Sequence, residues 1–199
     1  SFLTDLHARD HRAHVRAAFA KDGELLGIEM DDLTGVGAYS MYPRTSALEA
    51  MQVINYVGAP YTHKNYKARS QVVFQNKTPM SQYRAVGHPV AVAVTETLME
   101  EGARKLGMDP IDIRRRNLMS DDSYPRDFIT GLKMEALSHE ASLDKLLTMF
   151  DYTGFRVEQE RLRGQQIYRG IGFATLVEMT NPGPHTYGLG GARISSQDG

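Results

Sequence analysis

Hydrophobic and polar residues alternate along residues 11–38, and the dipeptide Asp22-Gly23 separates the two alternating runs. Alternation places successive side chains on opposite faces of a strand, and Asp-Gly is a favoured two-residue hairpin turn. The pattern therefore predicts a β-hairpin. A further run at residues 66–77 is rich in β-branched and aromatic residues, and it predicts another strand.

The hydrophobic period changes to that of a helix in the middle of the chain. Residues 46–57 predict a helix with Ser46 as its N-cap, and its hydrophobic face would be formed by Leu48, Met51, Val53 and Ile54. Residues 90–106 predict a second helix, which is buried in its first turns because these are apolar on nearly all sides. Gly107 is placed to end it.

The last part of the chain predicts three shorter helices followed by strands. Asp109 and Pro110 indicate the N-cap and first position of one helix, and two more are expected from Ser142 and after residues 153–154. The predicted strands cover roughly residues 168–178 and 190–196.

The predicted strands and helices occur in separate groups along the chain, which favours an α+β fold over an alternating series of strands and helices. We therefore expect a β-hairpin and a mixed sheet packed with several helices. Residues 1–199 are interpreted as a single unit, with a candidate sub-boundary near residues 164–170.

Composition narrows the class of protein further. The 199 residues are 41% hydrophobic and 24% charged, which is enough to bury a sizeable core. Lys and Arg number 23 against 24 Asp and Glu, so a net charge of −1 predicts neither a nucleic acid nor an anionic membrane as partner. No apolar run approaches the roughly 20 residues that span a bilayer. The chain has no cysteine, which excludes disulfides and thiolate metal sites and fits a reducing, cytoplasmic location.

Several candidate chemical groups have a simpler structural explanation. The spacing of His7, His11 and His14 would suit zinc on a helix, but alternation places the last two on opposite faces of a strand, so no metal site is predicted. The pairs Asp31-Asp32 and Asp121-Asp122 are expected in turns. Residues 114–116, three successive arginines, are expected to form a solvated or salt-bridged helix face.

The loop QYRAVGHPVA at residues 82–91 leads into the second helix. A residue before proline avoids the α region, so His88 is expected to be extended and Pro89 to begin the helix. The small residues after Arg84 would let a bound group approach the main chain, and the guanidinium offers a fork of donors. From these residues alone two interpretations stay open: a site for an anion or a metal-bound group, and an ordinary connection with a surface arginine.

Residues 83–89, followed by GMDPIDIRRRNLM at 107–119, resemble the molybdenum-binding large subunit of the xanthine dehydrogenase and aldehyde oxidase family. Residues 31–43, 151–184 and 190–199 also resemble segments of that subunit. The resemblance extends over nearly the whole chain. It is strongest to bacterial three-subunit hydroxylases that are described as carbon monoxide dehydrogenase-like.

The resemblance implies which residues line the site. Those expected at the cofactor are Gln82, Tyr83, Arg84 and Ala85, and those expected at the substrate pocket are Gln52, Val86 and Glu178. For Glu178 a second interpretation stays open, a hydrogen-bonded carboxylate at a strand end. Val86 stands where relatives carry an aromatic residue, which implies a differently shaped pocket.

Two differences from the family argue against particular substrates. Ala85 occupies the position of the copper-binding cysteine of carbon monoxide enzymes, so copper-dependent oxidation of carbon monoxide is not expected. Gln52 lies in the helix where purine-oxidising relatives present an arginine, so xanthine is not expected either.

For the whole protein, the resemblance implies oxidative hydroxylation of an N-heterocycle or aldehyde with water. Molybdopterin, in its cytosine dinucleotide form and with molybdenum, would be the cofactor, and partner subunits would carry 2Fe-2S clusters and FAD. The glycine-rich cofactor element is expected before residue 1 and the catalytic glutamate after residue 199. This chain would then hold no catalytic residue and would be inactive when isolated. The alternatives are an inactive family member that acts as a binding or assembly module, and an unrelated α+β protein.

Overall fold

The hairpin predicted at the start of the chain is present in a computed structural model, which describes residues 7–40, 46–80 and 82–178. Strands β1 (His11–Phe19) and β2 (Leu25–Gly35) are antiparallel. In the turn between them Gly23 has a φ of 85°, which L side chains rarely adopt. Partly buried and exposed residues alternate along β1, as the sequence pattern predicts.

A third strand makes the sheet mixed. Strand β3 (Asn65–Val73) pairs in parallel with β2, so the strand order is β1-β2-β3. The strand ends before Phe74, which is 67% exposed, although the prediction extended to residue 77. A separate two-stranded ribbon is formed by β4 (Arg126–Asp127) and β5 (Lys133–Met134).

Five α-helices accompany these strands in the described residues, together with a 3-10 turn at Asp121–Ser123. The helices are α1 (Leu48–Tyr56), α2 (His88–Leu106), α3 (Pro110–Asn117), α4 (His139–Phe150) and α5 (Tyr152–Arg163). The predicted α+β architecture, a hairpin and mixed sheet packed with several helices, is confirmed. Within the described ranges, none of the helices combines the length and apolar character needed to cross a membrane.

Some predicted helix ends are correct, and others are wrong. Asp109 caps α3 by accepting a bond from Ile111 N at 2.7 Å, and Gly107 ends α2 with a φ of 68°. Helix α4 begins three residues before the predicted Ser142, and α5 begins at Tyr152 although its start was predicted after residues 153–154. Ser46 does not cap α1, because its Oγ donates to the main-chain oxygen of Met80 at 2.8 Å.

The core lies between one face of the three-stranded sheet and helices α1 to α3. Its most deeply buried residues include Met30, Val53, Val57, Met99 and Ile113. Met51, which was predicted on the hydrophobic face of α1, is 42% exposed and lies outside this core. A second, smaller cluster joins the ribbon to the rest of the chain through Ala59, Met119, Phe128 and Met134.

The strand predicted at residues 168–178 is wrong. Residues 171–178 alternate in burial, but no residue of the segment pairs with a strand in the described part of the chain. Side chains bind this segment instead: Thr175 N donates to Glu96 Oε1 at 3.2 Å, and Arg114 Nη2 donates to Phe173 O at 3.1 Å. The strand predicted at 190–196 lies outside the described residues. The sub-boundary near 164–170 stays a prediction.

Candidate functional site

The loop of residues 82–87, called the arginine loop below, packs directly on helix α1. Gly87 N donates to Gln52 Oε1 at 3.0 Å. A Cβ added to Gly87 would lie 2.4 Å from Glu49 O, a backbone atom that cannot move aside easily. Glycine is therefore required at this position for the loop to lie against the helix.

The backbone of the arginine loop is unusual, since two successive residues with side chains have positive φ angles. The angle is 67° at Ala85 and 48° at Val86, where a β-branched residue is disfavoured. Two short-range bonds hold this conformation, from Val86 N to Tyr83 O at 2.7 Å and from His88 N to Ala85 O at 2.9 Å. Such outliers persist where surrounding contacts fix the chain, often at functional sites.

His88 is the first residue of α2 and is buried, so the prediction that it would be extended is wrong. The steric restriction before Pro89 is outweighed by local contacts. The imidazole ring lies 4.3 Å from the Tyr56 ring, centroid to centroid, and His88 Nδ1 lies 2.9 Å from Ala85 O. These contacts fix the end of the loop at the start of the helix.

Arg9 binds the other side of the arginine loop. Its Nη2 donates to Tyr83 O at 3.3 Å and also to Arg84 O. The guanidinium carbon lies 5.5 Å from the centroid of the Tyr83 ring, within the range of a cation–π contact. The main chain of Arg9 is held as well, because its N donates to Glu49 Oε1 at 2.8 Å.

These contacts determine where the amides of the loop point. The main-chain oxygens of Tyr83, Arg84 and Ala85 all accept hydrogen bonds. In a trans peptide the N–H points opposite to the C=O, so the amides of Arg84 and Ala85 point away from Arg9. Neither amide donates to another described residue, and the exposed Arg84 side chain forms no ion pair or hydrogen bond within the described residues.

A buried charged network lies beneath the loop. His11 Nδ1 lies 3.1 Å from Asp32 Oδ1, and its Nε2 lies 3.1 Å from Glu49 Oε1. Asp32, which is fully buried, also accepts bonds from Thr34 Oγ1 at 2.7 Å and Ser70 Oγ at 3.1 Å. Asp31 and Asp32 lie within β2, so the prediction that they lie in a turn is wrong.

The network fixes the charge of His11. Burial alone would lower the pKa of this imidazole, but hydrogen bonds and charge from Asp32 and Glu49 raise it from 6.5 to about 9. Burial acts to raise the pKa of Asp32, and the bonds from His11 and Thr34 outweigh this effect and lower it. At neutral pH the site therefore holds an imidazolium between two carboxyl groups.

The structure brings most of the predicted site residues together. Gln82, Tyr83, Arg84, Ala85 and Val86 share the arginine loop, and Gln52 is hydrogen-bonded to it. Glu178 is exposed, and it forms no hydrogen bond or ion pair with any residue in the described ranges. His11 and His14 lie on opposite faces of β1. The described residues contain no group of three histidine or acidic side chains that could hold a metal ion.

Arg9 and Glu49 were not identified as residues of the site from the sequence. Nothing in the local pattern distinguishes Arg9 from the exposed arginines nearby, because its role depends on residues more than 70 positions away. Glu49 carried a weak signal: it falls on the side of α1 that faces the core, where a carboxyl group requires a partner.

A solved structure shares this fold, and two further proteins are similar to this chain in sequence. The crystal structure of quinoline 2-oxidoreductase from Pseudomonas putida 86 superposes with a TM-score of 0.85 and 28% identity, over 98% of this chain and 25% of that one. Nicotine 6-hydroxylase large subunit from Paenarthrobacter nicotinovorans is 29% identical over 89% of this chain and 22% of its own length. Aldehyde oxidoreductase from Megalodesulfovibrio gigas is 30% identical over 81% of this chain and 17% of its own length.

These matches define an α+β domain of the kind found within much longer oxidoreductase chains, of which this chain spans about a quarter or less. The sequence model of the molybdopterin cofactor-binding domain family matches residues 1–118, which are more than half of the chain. The chain belongs to the molybdopterin cofactor-binding domain family.

Proposed function

We propose that the arginine loop is part of the wall that binds the molybdenum cofactor in a molybdenum hydroxylase large subunit. One observation supports this most directly: the amides of Arg84 and Ala85 point out of the loop together, and neither has a partner among the described residues. Successive amides in such turns form concavities that suit anionic oxygens. Molybdopterin carries a phosphate and a metal with oxygen ligands, so its chemistry fits these donors.

Each loop residue has a separate role in this proposal. Arg84 supplies a guanidinium and a main-chain donor, Ala85 a second main-chain donor, and Gln82 and Tyr83 complete the wall. When bound, the cofactor supplies the redox chemistry that hydroxylates a substrate carbon with oxygen from water. Gly87 lets the loop rest on α1, which keeps the donors fixed before the cofactor arrives.

The proposed substrate is an aromatic N-heterocycle or an aldehyde. The names of the relatives support these two classes, since nicotine and quinoline contain aromatic nitrogen rings and the third relative acts on aldehydes. Val86 and Gln52 are the proposed pocket residues in this chain, because one lies in the arginine loop and the other is bonded to it. Glu178 stays a proposed pocket residue on the resemblance alone.

The whole protein is proposed to work as a cytoplasmic complex. The large-subunit name of the nicotine 6-hydroxylase relative supports an assembly of this kind. We propose the cytosine dinucleotide form of molybdopterin, an iron–sulfur subunit with 2Fe-2S clusters and a subunit with FAD. Residues 1–199 would supply one wall of the site and would be inactive by themselves, because the proposed catalytic base belongs to a different part of the full chain.

The first test compares Arg84→Ala with Arg12→Ala in the full-length protein purified with its partner subunits. Arg12 is an exposed residue of β1 and serves as the matched control. We expect Arg84→Ala to lower turnover or molybdenum content by about 10- to 100-fold, since a supporting contact to a metal site typically has this effect. The unfolding temperature should stay unchanged in both variants.

Molybdenum and released pterin nucleotide would be measured in the same preparations. About one molybdenum per large chain in the wild type supports the hydroxylase, and its absence from the fully assembled protein would favour the inactive module instead. Full occupancy and normal turnover of Arg84→Ala would remove Arg84 from the site.

A further inference from the structure

Arg9 connects the buried charged network to the arginine loop across a large sequence separation. Its main-chain N is bonded to Glu49 Oε1, and Glu49 is paired with His11 inside the core. Its guanidinium reaches the oxygens of Tyr83 and Arg84, which lie 74 and 75 residues away. The main chain of Arg9 is thus bonded to the buried network, and its guanidinium binds two successive peptide groups. Arg9 is therefore suited to orient those peptide groups.

The geometry of the peptide group transmits this contact to the opposite side of the loop. Each of the two peptides that Arg9 binds is planar, so fixing the C=O direction also fixes the N–H direction. The two N–H groups concerned are those of Arg84 and Ala85, the same pair that has no partner in the described ranges. By binding both C=O groups, the guanidinium of Arg9 therefore makes two successive N–H groups point to the same side of the loop.

The backbone of Arg9 is itself in an unfavourable conformation. Its φ is 66°, a region that residues with side chains rarely adopt. Two buried polar atoms at this point, Arg9 Nε and Glu49 Oε2, also have no hydrogen-bond partner within the described residues. Backbone strain and unpaired buried polar atoms are departures from local rules, and their combination at one residue is expected at a functional site.

We propose that Arg9 is a positioning residue for the molybdenum cofactor. It does not touch the cofactor; it holds the arginine loop so that the amides of Arg84 and Ala85 face the bound group. This inference rests on the proposed function of the loop. It adds a residue outside the loop whose loss should disturb cofactor contacts while the fold persists.

The test uses the full-length protein with its partner subunits and four forms: wild type, Arg9→Gln, Arg9→Lys and the control Arg12→Gln. Hydrogen exchange of the peptide covering residues 82–88 is measured in cofactor-loaded and cofactor-free protein. Turnover, molybdenum content and the electron paramagnetic resonance spectrum of reduced molybdenum are measured on the same samples. Lysine retains the charge but lacks the planar fork, so it is the conservative variant.

We expect cofactor loading to protect the 82–88 peptide in the wild type and in Arg12→Gln. In Arg9→Gln this protection should disappear, turnover should fall about 10- to 100-fold and the resonance spectrum should change. Arg9→Lys should keep part of the protection, the turnover and the wild-type resonance spectrum. Because it is the milder change, the same measurements on Arg9→Lys test the proposal if Arg9→Gln does not fold.

Two results would overturn the proposal, and they differ from each other. Wild-type protection and turnover within twofold in Arg9→Gln would show that Arg9 does not position the loop, while the loop would keep its proposed function. An 82–88 peptide with equal exchange in loaded and cofactor-free wild-type protein would overturn the cofactor assignment, and the role of Arg9 with it.

Discussion

The imidazole of His11 lies between two buried carboxyl groups. It stays protonated at neutral pH, where a free histidine is mostly uncharged. Its pKa is raised from 6.5 to about 9 by the hydrogen bonds and charges of Asp32 and Glu49, which outweigh burial. A raised pKa means that the folded state binds the proton more tightly than the unfolded state. The resulting stabilisation is complete below about pH 6.5 and is lost as pH rises through 9.

We therefore expect the protein to lose about 3 kcal/mol of unfolding free energy between pH 6.5 and 9, because the pKa of His11 differs between the two states. His11→Gln should be less stable at pH 6.5 and should show a flatter pH dependence. Urea unfolding of the intact protein at several pH values in this window measures both effects.

His14→Gln is the matched control, since His14 is exposed on the opposite face of β1. It should keep the wild-type pH dependence. A wild-type unfolding free energy that stays constant from pH 6.5 to 9 would contradict the charged state assigned to His11.

Helices α2 and α3 and the segment at 168–178 are held together by one buried arginine. Arg114 is 1% exposed; its Nε donates to Glu96 Oε2 at 2.9 Å and its Nη2 to Phe173 O at 3.1 Å. Glu96 Oε1 in turn accepts bonds from Tyr61 at 2.8 Å and from Thr175 Oγ1 at 2.7 Å. The prediction of a solvated or salt-bridged face is correct for Arg115 and Arg116. Arg114 is salt-bridged as well, but it is buried and does not belong to a solvated face.

Arg114→Met should destabilise the protein by about 3 to 5 kcal/mol, because it leaves Glu96 buried without its cation. Arg115→Met is the control at the next position: its exposed pair with Asp144 should contribute less than about 1 kcal/mol. The free energy of unfolding in urea compares the two.

The double variant Arg114→Met with Glu96→Gln should recover part of the loss, since it removes both charges together. Equal effects of Arg114→Met and Arg115→Met would show that the buried pair does not join these elements.

Elements that are stabilised by local contacts were predictable from the sequence, and the others were not. The hairpin and the helix that begins at Asp109 follow from turn and cap residues that act within a few positions. The segment at 168–178 has the alternation of a strand, but a strand also requires a neighbouring strand, and alternation carries no information about one. Its main chain bonds to side chains from α2 and α3 instead.

At the scale of the whole molecule, this chain corresponds to one part of much longer relatives. It spans 22% of the nicotine 6-hydroxylase large subunit and 25% of the quinoline 2-oxidoreductase chain. A sequence resemblance identified the residues of the arginine loop as candidates, and their role at a cofactor stays a prediction. The orientation of the loop could not be predicted, because it depends on Arg9, Gln52 and Glu49, which contact the loop only in the folded protein.

We expect residues 1–199 produced alone to retain no molybdopterin and to turn over no substrate, because one wall of a site cannot enclose a cofactor. Elemental analysis and release of pterin nucleotide from the purified fragment measure this, with the full-length protein from the same host as control. Stoichiometric molybdenum in the fragment would contradict the prediction.

The side chain of Asn117 has a consequence for the order in which this chain can fold. Asn117 Oδ1 accepts from Leu25 N at 2.7 Å and its Nδ2 donates to Gly23 O at 2.8 Å, so a residue at the end of α3 completes the hairpin turn. During synthesis the hairpin turn leaves the ribosome more than 90 residues before Asn117 does. The turn therefore stays incompletely bonded while the residues between it and Asn117 are translated, and its closure is a late, non-local step.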